Sequence, residues 1–216
     1  MTWARYYPFT LGLLAAVTMA AALARLLPGS LPLDWSSNFG FAPKHIASGD
    51  LLRLITRLIT SVFLTHDGLH FACAVTMISL VVGWSERTLG LWSTFFNFAF
   101  SHLTSMLAFA IGVSLLQFTF VSQTMASLYD FQDVGPSAGY YGCLGALLIA
   151  SKVPYKQLII AGVLIILAIR VLLSAKSMPE SHALLSADLV HLIAILVGMA
   201  IRWVGWSMPR TGRPAA

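Results

Sequence analysis

Long apolar stretches, separated by short polar segments, constrain this chain more than any other feature of its sequence. A helix needs about 20 mostly apolar residues to cross a bilayer. The predicted spans are residues 9–27, 68–84, 91–118, 136–150, 157–173 and 189–204. Only 10% of the 216 residues are charged, against roughly 25% in soluble domains. The sequence therefore predicts an all-α, polytopic membrane protein with six spans.

The basic residues indicate how the chain is oriented in the membrane. They lie mainly at the ends of the apolar stretches, and the net charge of +5 suits anionic lipid headgroups better than nucleic acid. Short cytoplasmic loops are enriched in Lys and Arg, and with six spans the N-terminal side collects Arg5, Arg87, Lys152 and Lys156. We expect a multi-pass protein of a bacterial inner membrane with cytoplasmic termini, and no nucleic-acid partner.

The chain reads as a single membrane domain, 1–216, with a core of about 48–205 and a short polar tail, 206–216. The N-terminal run of alanines after a basic residue imitates a signal peptide. Because the run 9–27 is long enough to span, we expect an uncleaved first helix. The spans 68–84 and 136–150 are short and rich in small residues, which predicts that both are buried among the others.

The long connection between the first two spans contains an amphipathic stretch. Apolar residues recur at helical spacing over 51–63, with Arg53 and Arg57 off that face. This pattern predicts a helix at the membrane surface.

A serine flanked by small residues begins the fourth predicted span. Gly135 and Pro136 precede Ser137, and Ala138 and Gly139 follow it. Proline suits the first helical turn, so Ser137 is expected where free backbone N–H groups and the helix dipole favour negative charge. Such a site stabilises an oxyanion. The alternative is a small-residue packing motif without chemistry.

Two histidines are candidates for the chemistry beside that serine. His191 lies within the sixth span, where Ala194 and Gly198 form a small-residue face on its side of the helix. That face predicts packing against the fourth span, which would pair His191 with Ser137 as base and nucleophile. His70 enters the second span and is a candidate oxyanion donor. The alternatives are a histidine bonded only to backbone and a solvated loop histidine.

The chain from about 48 to 205 resembles the rhomboid family of intramembrane serine proteases. Four blocks carry the resemblance in the family's order: 48–56 followed by Phe63, Leu64, Thr65, His66 and His70; Gly83, Glu86, Arg87, Leu89 and Gly90; Gly135 and Ser137 with Gly142; and His191 and Leu192 with Gly198.

The resemblance implies a six-helix bundle that cleaves transmembrane protein substrates near the non-cytoplasmic face. It implies Ser137 as nucleophile and His191 as general base, without a triad acid. His70 and backbone N–H groups around Gly135 and Ala138 would form the oxyanion hole. Tyr141 would pack against the base. Glu86 and Arg87 would be structural.

Three positions depart from the family pattern. Ala74 stands where the family usually has an asparagine, one turn after the second-span histidine. Loss of one oxyanion donor costs on the order of 100- to 1000-fold in rate. Ala138 and Ala194 replace glycines of the family and are milder changes.

Two rival interpretations follow from the same residues. An inactive rhomboid pseudoprotease would bind membrane proteins without cleaving them, and Ala74 favours that interpretation. A transporter-like or structural bundle would use Ser137 and His191 for packing alone.

No metal-ligand spacing or nucleotide loop is evident, so no cofactor is expected. Cys73 and Cys143 are expected to be small buried residues. Asp188 either orients His191 or is solvated at the membrane boundary, and Arg170 is expected to snorkel.

Overall fold

The computed structural model describes residues 7–24, 33–119, 122–177 and 182–205, and the part described is all-helical with no strand. The helices are α1 (Pro8–Leu23), α2 (Leu33–Phe39), α3 (Lys44–Ala47), α4 (Leu51–Thr60), α5 (Gly68–Met77), α6 (Gly83–Leu89), α7 (Leu91–Thr119), α8 (Gln123–Asp130), α9 (Ser137–Ala150), α10 (Lys156–Lys176) and α11 (His182–Trp203).

Four helices in the described residues are long and apolar enough to cross a membrane, which indicates a membrane protein. They are α7, α10, α11 and the rod Gly68–Leu89, in which a π-helical segment, Ile78–Val82, joins α5 to α6. The shorter apolar helices α1 and α9 occupy the first and fourth predicted spans. The predicted end of the first span, at residue 27, lies outside the described residues.

Helix α9 occupies the centre of the bundle. Its fourteen residues include eight buried ones, and its most extensive contacts are with α11 and then α7. This confirms the predicted burial of the fourth span. The corresponding prediction for the second span is wrong, because much of the rod Gly68–Leu89 is exposed on one face, including Leu69 and Leu80. A Cβ added to Gly83 in that rod would meet the Thr10 side chain at an ordinary 3.8 Å, so this glycine does not mark a close backbone contact.

The amphipathic stretch folds as α4 followed by a 3₁₀ turn, Ser61–Phe63. The carboxylate of Asp50 caps α4 by accepting a hydrogen bond from the backbone N–H of Arg53 at 3.0 Å. Four large apolar side chains are exposed on α4: Leu51, Leu52, Ile55 and Ile59. The predicted amphipathic helix is confirmed, and its apolar face is free to contact lipid.

A buried carboxylate caps the N-terminus of α1. Glu86, only 1% exposed, accepts hydrogen bonds from the backbone N–H groups of Phe9 at 3.0 Å and Thr10 at 2.9 Å. It also accepts one from the Thr10 hydroxyl at 2.7 Å. Because the first N–H groups of a helix have no partner within it, this one side chain satisfies them and complements the helix dipole. Glu86 therefore attaches α1 to the end of the rod.

Replacing Glu86 with alanine is expected to lower the free energy of unfolding by about 3 kcal/mol, because it leaves buried donors unsatisfied. Glu86→Gln keeps one acceptor oxygen and is expected to lose less. Reversible unfolding in mixed micelles measures both variants. Equal stability of the wild type and Glu86→Ala would refute this role for the cap.

Candidate active site

The backbone before α9 presents Ser137 at the start of the helix. Gly135 has a φ of +138°, a conformation that side-chain-bearing residues rarely adopt. Its N–H donates to the carbonyl of Ser61 at 2.8 Å, which ties this loop to the turn after α4. Pro136 is the N-cap residue, and no side chain caps the helix. The N–H groups of the first turn are therefore available to a ligand oxygen.

The loop is also held by a short bridge to the segment before α3. Phe41 donates its N–H to the carbonyl of Asp133 at 3.0 Å, and Asp133 donates its own to Phe41 at 2.7 Å. Burial raises the pKa of the Asp133 carboxyl to about 7. Nothing in the sequence distinguishes Asp133, because an aspartate in a loop is ordinarily solvated. Together with the bond from Gly135 to Ser61, the bridge holds the backbone that leads into α9.

Helices α9 and α11 touch at their backbones. A Cβ added to Gly198 would overlap the carbonyl oxygen of Gly142, and one added to Gly145 would overlap the carbonyl oxygen of Ile195. Only glycine permits this separation. The predicted packing of the small face of the sixth span against the fourth is thereby confirmed.

The close contact brings His191 against the face of α9 that carries Ser137. The imidazole stacks on the ring of Tyr141, with centroids 4.2 Å apart and planes inclined by 20°. Tyr141 follows Ser137 by four residues, so the two lie on the same helix face one turn apart. His191 is 9% exposed, and neither ring nitrogen has a hydrogen-bond partner in the described structure.

The structure therefore stacks His191 on Tyr141, one helical turn after Ser137, and contains no hydrogen bond between Ser137 and His191. Catalytic hydrogen bonds are often long or unmade without substrate. An imidazole with two unpartnered nitrogens in an apolar surrounding is costly to keep. Both nitrogens remain available to accept or donate a proton.

His70 is engaged elsewhere. Its Nδ1 lies 2.8 Å from a carboxylate oxygen of Asp67, and 58% of its side chain is exposed. The same carboxylate accepts the backbone N–H of His70, which holds the pKa of Asp67 below its usual value. The ring of His70 lies 5.7 Å from that of His66, and no described contact joins it to Ser137. Ala74 is buried, with no polar group to offer.

His66 has a ring contact with the segment that leads into α9. Its ring is 6.0 Å from that of Phe131, and burial lowers the pKa of His66. Phe131 in turn lies 5.6 Å from the ring of His182 at the start of α11. These rings connect the beginnings of α5 and α11 across the segment that precedes α9.

Asp188 and Arg170, which the sequence did not pair, form a polar cluster with Ser174 between α10 and α11. Asp188, 2% exposed, accepts hydrogen bonds from Arg170 Nε at 2.9 Å and from the Ser174 hydroxyl at 2.6 Å. The alternative that Asp188 is solvated is therefore wrong, whereas Arg170 is paired with it and keeps half of its side chain exposed. Arg170 and Ser174 lie four residues apart in an otherwise apolar helix, and that spacing was the available signal.

The remaining candidate residues are possible metal ligands and the two cysteines. Among the described residues, no group of three or more metal-ligating side chains occurs. Cys143 is buried as expected, whereas Cys73 is exposed, so the expectation for Cys73 is wrong.

Comparison of the chain with protein-family models, with curated proteins and with solved structures gives no match.

Proposed function

We propose that this chain is an intramembrane serine endopeptidase of the rhomboid type, which cleaves transmembrane protein substrates with a Ser137–His191 dyad. The observation that carries the proposal is the stacking of His191 on Tyr141, one helical turn from Ser137. A histidine within a spanning helix is costly and serves function by default. Here its two nitrogens are left without partners.

The length of α9 supports the proposal. Fourteen residues of helix extend about 21 Å, which is less than the roughly 30 Å of the hydrocarbon core. The Ala150 end of α9 is followed by Lys152 and Lys156, and the ammonium group of Lys156 donates to the carbonyl of Ile149 at 3.2 Å. Because these lysines favour the headgroup region, the opposite end with Ser137 is the submerged one. A nucleophile at that depth reaches a peptide bond within or beside a spanning helix.

In the proposed reaction the Ser137 hydroxyl attacks the scissile carbonyl as His191 takes its proton. The tetrahedral oxyanion receives hydrogen bonds from the uncapped first-turn N–H groups of α9. His191 then returns the proton to the leaving amine. Water hydrolyses the acyl-enzyme and regenerates Ser137. The six-span arrangement and cytoplasmic termini belong to the same proposal.

The rival function is that of a rhomboid pseudoprotease, and two observations favour it. Ala74 supplies no oxyanion donor, and His70 is bonded to Asp67 rather than aimed at Ser137. Under this alternative the chain binds transmembrane helices without cleaving them. The difference between the two functions is chemical, since only the protease needs a nucleophilic serine.

A fluorophosphonate probe separates the two functions. The wild type is expected to be labelled at Ser137, and His191→Phe is expected to lose labelling, because phenylalanine keeps a ring against Tyr141 but has no basic nitrogen. His182→Phe, at the start of the same helix, is the matched control and should keep labelling. Mass spectrometry of the labelled peptide checks the site. An unlabelled wild type, with the fold intact, would favour the pseudoprotease.

A further inference from the structure

The ion pair between α10 and α11 is placed where it can control His191. Arg170 contacts one carboxylate oxygen of Asp188 through both Nε, at 2.9 Å, and Nη2, at 2.7 Å. The Ser174 hydroxyl donates to the other oxygen at 2.6 Å. Both oxygens of a buried carboxylate are thus engaged by one neighbouring helix. This geometry fixes the rotation of α11 relative to α10.

Stability alone does not account for the pair. Asp188 has a side chain only 3% exposed, and its desolvation offsets much of its attraction to Arg170, whose side chain is 50% exposed. Helix α10 is otherwise loosely held, since Leu167 and Ser174 are its buried residues. The buried carboxylate of Asp188, with both oxygens bonded to α10, is better suited to fixing one orientation of the two helices, because few other arrangements satisfy it.

Asp188 precedes His191 by three residues, which is about one helical turn. The imidazole makes no hydrogen bond in the described structure, so its position depends on the rotation of α11 and on the stack against Tyr141. Contacts on two sides of α11 bear on that rotation. Gly198 meets Gly142 on the α9 side, and Asp188 meets Arg170 on the α10 side.

We propose that Asp188, Arg170 and Ser174 form a positioning network that fixes the rotation of α11 and so holds His191 over Tyr141, within reach of Ser137. Asp188 does not act as a third catalytic residue, because both of its oxygens are committed to α10 and neither His191 nitrogen has a partner. The inference rests on the proposed protease function. It adds residues outside the dyad that act through His191.

The test compares purified variants in proteoliposomes with a model transmembrane substrate. Asp188→Asn and Arg170→Gln are each expected to lower kcat on the order of 10- to 100-fold, the size of effect that a misplacement of about 1 Å produces. KM should change little, because neither residue contacts substrate in the proposal. Arg170→Lys keeps the positive charge but lacks the planar guanidinium with its several N–H donors, so its kcat should lie between those of Arg170→Gln and the wild type.

Two controls separate positioning from folding. Lys176→Gln removes an exposed charge from the last turn of the same helix and should leave kcat unchanged. Every variant is assayed well below its own unfolding temperature, and kcat is expressed per folded molecule. A variant that does not fold is replaced by Ser174→Ala, which removes one hydrogen bond to Asp188 and should lower kcat by a smaller factor than either charge removal.

The outcomes distinguish the network from the proposed function. If the wild type cleaves the substrate, and Asp188→Asn, Arg170→Gln and Ser174→Ala match its kcat per folded molecule, the positioning network is refuted while the protease stands. A change in KM at constant kcat refutes it as well. If the wild type neither cleaves substrate nor reacts with a fluorophosphonate, the proposed function itself fails, whatever the variants do.

Discussion

The variant Ser137→Ala is expected to abolish cleavage of a transmembrane substrate, with kcat reduced by at least about 1000-fold. Removal of the nucleophile prevents the acyl-enzyme from forming, and in serine proteases the remaining groups supply only a small part of the rate enhancement. The fold should be unaffected, because the hydroxyl of Ser137 has no described hydrogen-bond partner whose loss would destabilise the helix. Cleavage of a fluorescently tagged substrate in proteoliposomes measures the effect.

The matched control is Ser151→Ala, at the other end of the same helix. Ser151 follows α9 and donates its hydroxyl to the carbonyl of Leu148 at 3.0 Å. Ser151→Ala makes the same chemical change just beyond the opposite end of α9, so kcat should match that of the wild type. Full cleavage by Ser137→Ala would refute the dyad, and equal losses in both variants would point to damage to the fold.

The helices and their central contact follow from local sequence signals. Apolar runs of spanning length predict α7, α10 and α11, and Pro136 followed by Ser137 marks the start of α9. The approach of α9 to α11 follows from Gly198, because a face of small residues on a membrane helix allows the backbone of a neighbouring helix to come close. These features depend on composition and spacing along one helix, which a sequence displays directly.

The contacts between distant polar side chains could not be predicted in the same way. Arg170 near the end of an apolar helix reads equally as snorkelling or as paired, since the choice depends on which helix packs beside it. Asp188 resolves the choice only once α10 and α11 are seen together. The place of His70 could not be predicted either, because its imidazole bonds to the nearby Asp67 and is then not free to donate to an oxyanion at Ser137.

The second large effect is expected from Gly198→Ala. The added Cβ would overlap the carbonyl oxygen of Gly142, and because a backbone atom cannot rotate away as a side chain does, the two helices must separate. Overpacking of a core typically costs 1 to 3 kcal/mol, and we expect about 3 kcal/mol here. Separation of α9 from α11 also moves His191 away from Tyr141, so labelling of Ser137 by a fluorophosphonate should slow even in the folded fraction.

Gly162→Ala is the matched control, because it makes the same substitution within a spanning helix. A Cβ at Gly162 meets nothing within 4 Å, and alanine has a higher helix propensity than glycine by about 1 kcal/mol. This variant should be as stable as the wild type or more so, with unchanged labelling, whereas Gly198→Ala should be destabilised. Unfolding in mixed micelles and the labelling rate measure the two effects separately. If both alanine variants have the stability and labelling rate of the wild type, then α9 and α11 do not depend on backbone contact, and the position of His191 beside Ser137 requires another explanation.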